Sequence, residues 1–413
     1  MSDRRVVVTG MGVVTPLGCA VDTFWDRLLA AESGIVPILS FDSSQFDVHF
    51  GGECRDFSPT PPIDAKAVRR MDRFSQMAVV AAHEAVRQSG LDFSKEDPGR
   101  IGCIIGSGIG GIKELEDQYA RLLQKGPSKV SAFTIPKLMV NAAAGNISIE
   151  FSITGPSQAV STACASAGNA LGDARDMIRR GTTDVMIAGG SEAALSPLGL
   201  SAFAAMKALS VRNNEPARAS RPFDRDRDGF VLSEGAGVLI LEEAERAAKR
   251  GAPIMAEITG YGSTCDAGHI TQPREDGRGA MQAMRAALAD ARVRPEEIDY
   301  INAHGTSTPL GDAAEASAIN TVFGAAARRV AVSSTKSSIG HMLGSSGAVE
   351  LIACIMGINN SVAPPTINLD NPDERCRLHH VANRPQDMKI ERALSNSFGF
   401  GGHNACLVVA KYR

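Results

Sequence analysis

The chain has 413 residues, long enough for one large domain or two ordinary ones. Apolar residues make up 44% of it and charged residues 22%, and the formal net charge of −3 excludes a strongly basic nucleic-acid binder. No stretch reaches the ~18 apolar residues of a membrane helix; the N-terminal apolar run is too short for a signal-peptide core; and the eight cysteines include no CxxC pair, against zinc-ribbon and thioredoxin-type sites.

In chain order, the first half alternates between the two kinds of element. A strand is predicted over 5–10, helices over 22–31 and 70–90, a strand over 100–106, and helices over 112–124, 140–151 and 165–180. Strands over 184–190 and 230–242 and a helix over 242–251 complete it. The second half reads as a strand over 254–262, a helix over 277–291, a strand over 298–303, a helix over 312–323, a strand over 330–335, a helix over 346–358 and a strand over 404–411. This alternation points to an α/β fold with buried sheets. The 230–242 and 404–411 runs have no helix before a nearby strand, so antiparallel pieces are expected as well.

A faint internal echo pairs Gly235–Leu241 with His403–Val409, and Arg100–Ile105 with Arg329–Ser334. It suggests two similar halves, 1–251 and 252–413, joined at the short turn Gly251-Ala252-Pro253.

Two motifs invite misreading. Gly106-Ser107-Gly108-Ile109-Gly110-Gly111 matches GxGxxG, but no second strand ending in an acidic residue follows at the spacing a dinucleotide site needs. Asp224-Arg225-Asp226-Arg227-Asp228-Gly229 resembles the start of a calcium loop, but the twelfth position is Gly235 instead of a bidentate Glu.

Three other stretches carry chemistry. In Val160-Ser161-Thr162-Ala163-Cys164-Ala165-Ser166-Ala167, a short strand runs through small residues into an Ala-rich helix. Cys164 there lies at a helix N-terminus, where free N–H groups favour thiolate, and its small neighbours admit a bulky thioester. His304 ends the strand in Tyr300-Ile301-Asn302-Ala303-His304-Gly305-Thr306. Ser333-Ser334-Thr335-Lys336-Ser337-Ser338-Ile339-Gly340-His341 again ends a strand in a polar loop, with His341 at a helix start (expected neutral) and Glu350 on that helix. One Cys and two His at three strand ends suit a thioester intermediate: sulfur as nucleophile, ring N–H groups for a developing oxyanion or enolate.

At these residues the chain resembles the 3-oxoacyl-carrier-protein synthases of type II, within the thiolase-like condensing enzymes. The resemblance extends to Val8-Thr9-Gly10-Met11-Gly12, Ser220-Arg221-Pro222-Phe223-Asp224, Ala363-Pro364-Pro365-Thr366-Ile367-Asn368 and Asn396-Ser397-Phe398-Gly399-Phe400-Gly401-Gly402. It implies a thiolase-like five-layered αβαβα fold, a homodimer and acyl carrier protein as partner, with no nucleic acid, no membrane and a cytoplasmic location. It implies transfer of an acyl group to Cys164, then decarboxylation of malonyl-carrier protein and attack of the carbanion on that thioester. His304 and His341 would promote decarboxylation, with Lys336 and Glu350 in support, and the N–H groups of Cys164 and Phe400 would form the oxyanion hole. Phe400 would be a gate, moving with the loop that carries Asp266. Ile109, Phe203 and Phe398 would line the substrate path, and Thr306 and Thr308 would bind the pantetheine arm.

No cofactor is implied beyond that arm, which the substrate brings. A structural sodium or potassium ion is implied near Asn302, Glu350, Ser395 and Asn396. Lys66, Arg69, Arg70 and Arg73, at helical spacing, would form a docking face for the acidic carrier, joined by Lys207.

Departures from the pattern are Ile339 in place of Thr, Ser345-Ser346 in place of two small apolar residues, and His403 where Thr is frequent. A polyketide or specialised-lipid ketosynthase is the alternative. A non-catalytic carrier-binding subunit would lack the cysteine, and a thiolase would need a second catalytic Cys where Phe398-Gly399-Phe400-Gly401 stands.

Overall fold

The run Val6–Val14 is buried along its whole length. It lies between two antiparallel neighbours, Gly235–Glu243 and Ala256–Cys265, in the computed structural model of the chain, which describes residues 4–413. From this strand outward the order is Val6–Val14, Gly235–Glu243, Val185–Glu192, Ile101–Gly106 and Ser157–Val160. Among the first three, neighbours pair antiparallel, and the last two join in parallel. The other side repeats this pattern with Ala256–Cys265, His403–Ala410, Arg392–Gly399, Tyr300–Asn302 and Ala331–Ser333, and His379–His380 is added at the edge. The two sheets meet at a seam of two residue pairs, Val7 with Glu257 and Val8 with Ala256.

Strand periodicity explains the layers. Ile101, Cys103 and Ile105 face one apolar cluster with the helices Arg73–Ser89 and Ala142–Glu150, whereas Ile104 faces another. That inner cluster holds the helices Ser166–Arg179 and Ser346–Asn360, packed between the sheets. On the far side, Ile301, Leu394, Cys406 and Val408 pack on the helices Arg278–Ala291 and Pro309–Phe323. The result is helix, sheet, helix, sheet, helix, with both sheets covered on both faces, which accounts for their apolar runs.

Two details correct the sequence reading. Arg392–Gly399 is a strand that the pattern did not suggest, because Ser395, Asn396 and Ser397 are polar yet almost fully buried. Its place in the sheet also changes one echo. By position, Ile101–Gly106 corresponds to Tyr300–Asn302, and Ala331–Ser333 corresponds to Ser157–Val160. The pairing of 235–241 with 403–409 stands, since each is the second strand of its sheet.

The misleading motifs are used internally. The Gly106–Gly111 turn wraps the buried carboxylate of Glu192, which accepts hydrogen bonds from Gly108 N (2.7 Å), Ile109 N (3.1 Å) and Ser107 Oγ (2.9 Å). An anion-binding turn filled by the chain's own carboxylate leaves no seat for a phosphate. Asp224 accepts N–H groups from Asp226, Asp370 and Asn371, and Arg227 pairs with Asp312 and Asp373. Among the described residues no cluster of His, Cys, Asp and Glu suited to a metal occurs.

Candidate active site

Cys164 occupies a single tight turn, Ala163–Ala165, between the strand end and the helix Ser166–Arg179. Ala163 is held at φ 51°, a left-handed conformation unusual for alanine, which bends the chain sharply before the thiol. Gly399 closes this turn from the other half: a Cβ there would lie 2.7 Å from Thr162 O and 3.0 Å from Cys164 N, so only glycine permits the approach.

His341 Nε2 lies 3.0 Å from Cys164 Sγ, and His341 Nδ1 lies 3.1 Å from Ser346 Oγ. The His304 ring stands edge-on to His341 with centroids 5.4 Å apart, and Phe230 packs edge-on against His341 at 5.3 Å. Behind them the Lys336 ammonium pairs with the Glu350 carboxylate, both fully buried. The three strand-end stretches therefore converge, and the two histidines come from residues beyond the seam.

Burial, more than the helix end, governs ionisation here. The Cys164 thiol is pushed up to about 12 by desolvation; Lys336 and the N–H groups of Phe400 and Cys164 pull the other way and only partly offset it. The N–H groups act in the direction expected, favouring thiolate, but burial outweighs them and the resting sulfur is a thiol. His341 and His304 are both held well below the usual histidine range, first by burial and then by the Lys336 charge, so both rings are neutral at pH 7. His341's neutrality was expected from the helix start, and the cause found is burial.

A cavity of about 400 Å³ opens onto this group. It is lined by Cys164, His304, His341, Phe398 and Phe400, and towards its mouth by Thr306, Thr308, Asp266, Phe203 and Lys207. The two threonine hydroxyls lie 3.0 Å apart. Asp266 is tied to the glycine turn after Phe400 through its N–H to Gly402 O (2.8 Å), and its carboxylate accepts from Asn404 Nδ2 (2.8 Å). Ile109 does not line the cavity but packs, as Phe203 does, against the buried cluster that holds Cys164 and Leu343.

The docking face is only partly as expected. The helix Ala65–Val68 stops, and Asp72 caps a second helix beginning at Arg73, so the four cations do not share one helical face. Arg73 turns inward, with Nη2 2.6 Å from Glu234 Oε1, Nε 2.7 Å from Glu234 Oε2, and the guanidinium stacked on Phe57. Lys66, Arg69, Arg70 and Lys207 are exposed.

The sequence reading missed two carboxylates. Glu315 accepts the N–H groups of His304 (2.8 Å) and Gly305 (2.7 Å) and the amide of Asn396 (3.0 Å), which holds the His304 turn in place. Glu192 does the same for Gly108 and Ile109. The signal for Glu315 was its position three residues after Asp312 on the Ala-rich face of a helix, where a charge is buried only if it is bonded.

Residues 3–247 match the family model of the beta-ketoacyl synthase N-terminal domain, and residues 255–370 match that of the C-terminal domain. The chain belongs to the beta-ketoacyl synthase family. A curated member, 3-oxoacyl-[acyl-carrier-protein] synthase 2 of Synechocystis, is 49% identical over 413 residues, covering 100% of this chain and 99% of the relative. Among solved beta-ketoacyl synthase structures, the ishigamide ketosynthase/chain length factor superposes with a TM-score of 0.94 at 34% identity, with both chains fully covered. A ketosynthase bound to the hexaketide, in complex with its type II PKS acyl-carrier protein, gives 0.93 at 34%, again with both chains fully covered.

Proposed function

We propose that this chain is a 3-oxoacyl-[acyl-carrier-protein] synthase of the second type, the acyltransferase that lengthens fatty acyl chains. The observation that carries the reading is a buried thiol 3.0 Å from one neutral imidazole, beside a second, on the floor of an apolar-walled cavity.

In the first stage the acyl thioester of a carrier protein enters, and Cys164 attacks its carbonyl carbon. The S–H proton passes to His341 Nε2, the oxyanion sits against the N–H groups of Cys164 and Phe400, and the carrier thiolate leaves and takes up the proton. In the second stage malonyl-carrier protein loses CO2. The electron pair of the broken C–C bond becomes an enolate whose oxygen faces the His304 and His341 rings. Neutral ring N–H groups suit this step, because a hydrogen bond strengthens as negative charge develops. The enolate carbon then attacks the acyl carbon on Cys164, a C–C bond forms as the C–S bond breaks, and the sulfur departs as thiolate and takes up one proton from solvent. Burial keeps both rings uncharged, and the charge of Lys336, paired with Glu350, adds to that effect. Full-length identity of 49% to 3-oxoacyl-[acyl-carrier-protein] synthase 2, against 34% to the type II PKS ketosynthase, favours fatty-acid elongation over the specialised alternative.

The pantetheine arm would pass Thr306 and Thr308, and exposed Lys66, Arg69, Arg70 and Lys207 would meet the acidic carrier. A second copy of the chain would cover the apolar side chains exposed between residues 115 and 139, among them Leu115, Tyr119, Leu123 and Ile135, and the open edge strand Ser157–Val160. Glu350 Oε2 is buried without a hydrogen-bond partner, and Asn302, Ser395 and Asn396 are buried on the two adjacent strands. These residues fit a monovalent cation, which would supply charge to the free carboxylate oxygen and no redox chemistry.

The test is condensation by the purified protein, given malonyl-carrier protein and acyl-carrier donors of graded length, with 3-oxoacyl product read by mass spectrometry. Absence of product with every donor would overturn the reading.

A further inference from the structure

The two histidines are not equivalent. His304 Nδ1 is buried with no hydrogen-bond partner, whereas His341 Nδ1 faces the Ser346 hydroxyl at 3.1 Å. Ser346 is 1% exposed and is the first residue of the helix Ser346–Asn360. Its neighbour Ser345 directs its own hydroxyl away, to Met342 O at 2.8 Å, and leaves His341 to Ser346 alone. Three side chains thus form a chain of contacts: Cys164 Sγ lies 3.0 Å from His341 Nε2, and His341 Nδ1 lies 3.1 Å from Ser346 Oγ.

A neutral imidazole carries its proton on one nitrogen, and the partner of the other nitrogen decides which. The attacking sulfur needs a lone pair on Nε2, which requires the proton on Nδ1. A buried N–H needs an acceptor, and the serine oxygen is the acceptor in reach. A base oriented by a third group is the arrangement that activates a weak nucleophile.

We propose that Ser346 is a positioning residue of the acyl-transfer stage, completing a relay of Cys164, His341 and Ser346; the proposal rests on the condensing function argued above. Ser346 Oγ accepts the Nδ1 proton and leaves Nε2 free for the thiol. The S–H bond breaks as the Nε2–H bond forms, and that proton then goes to the departing carrier sulfur while Nδ1 keeps its own. The same hydroxyl can donate to Nδ1 when Nε2 carries the proton, so the second stage depends on it less. Removing it strands a donor in the first case and only an acceptor in the second, and stranded buried donors are the rarer and costlier of the two.

The test compares Ser346→Ala and Ser346→Thr with the parent, one half-reaction at a time. Release of free carrier from acyl-carrier protein is followed in a single turnover, and CO2 release from malonyl-carrier protein is followed in the Cys164→Ala background with and without Ser346→Ala. The expected result is a loss of about tenfold or more in acyl transfer for Ser346→Ala, with decarboxylation changed by less than about threefold and Ser346→Thr close to the parent on both. In 15N-histidine spectra, His341, assigned by its loss in His341→Gln, should show Nδ1–H in the parent and shift towards Nε2–H in Ser346→Ala. Equal losses in both half-reactions, no loss in either, or an Nε2–H ring in the parent would overturn the relay. A parent chain that transfers no acyl group would instead overturn the condensing function, so the two failures are distinguishable.

Discussion

The two halves build the same turn twice and use it for opposite purposes. The tight turn Ala163–Ala165 leads into the central helix Ser166–Arg179, and the tight turn Leu343–Ser345 leads into its companion, Ser346–Asn360. Ala163 and Leu343 take nearly the same left-handed conformation, φ 51° and 48°, and the middle residue is Cys164 in one turn and Gly344 in the other. The turns after the matching strands are alike too, since Glu192 holds Gly108 and Ile109 as Glu315 holds His304 and Gly305. The difference lies in what fills the space. Gly344 N donates to Glu192 Oε2 at 3.1 Å, so a fixed carboxylate occupies one turn permanently. At Cys164 the N–H is left for the sulfur and for whatever oxygen enters the cavity. The backbone makes two seats for negative charge, and the side chains decide which is structural and which is reactive.

Four experiments can break or sharpen this comparison. Cys164→Ala has the largest expected effect, a loss of about a thousandfold or more in condensation rate with unfolding temperature near the parent's; residual activity above a tenth would place the nucleophile elsewhere. Next come the braces. Glu315→Ala strands the His304 and Gly305 N–H groups beside the cavity and should slow decarboxylation by about ten- to a hundredfold. Glu192→Gln should leave that step within about threefold but lower stability by about 2 kcal/mol in a urea titration, because its amide would face donors. If the two variants exchange behaviours, the assignment of one turn as structural fails.

The third experiment follows alkylation of Cys164 by iodoacetamide, peptide by peptide, against pH. The thiolate is the reacting form, and burial has raised the thiol to about 12, so the rate should keep climbing tenfold per pH unit through pH 10. A plateau near the usual ~8.5 would mean that the helix end outweighs burial. The smallest effect concerns docking. Arg69→Glu with Arg70→Glu should raise KM for carrier substrates several-fold at low salt, and the difference should fade as salt rises. Arg73→Glu should instead lower stability, since it sets two carboxylates against each other at Glu234.

The sequence made the reactive residues legible and left their supports obscure. Cys164, His304 and His341 each close a strand with a polar turn, which is where α/β folds place chemistry, so their convergence could be read without coordinates. The strand Arg392–Gly399 could not, because its buried polar residues broke the apolar pattern. Glu192 was hidden because a bonded buried carboxylate looks in sequence like any surface acid, and Glu315 showed only its place on an Ala-rich helix face. The docking face misled because the helix expected over 70–90 begins only at Arg73, with Asp72 as its cap, and Arg73 pairs with Glu234. Ser346 was visible only as an oddity; its geometry against His341 gave it a role.

The seam between the sheets, two residue pairs wide, has a consequence for the life of the chain on the ribosome. The sulfur is synthesised well before either imidazole, and until the later strands dock against it there is no base within reach. A partly made polypeptide therefore carries the sulfur without its base, and the complete pair exists only once the second half has folded against the first.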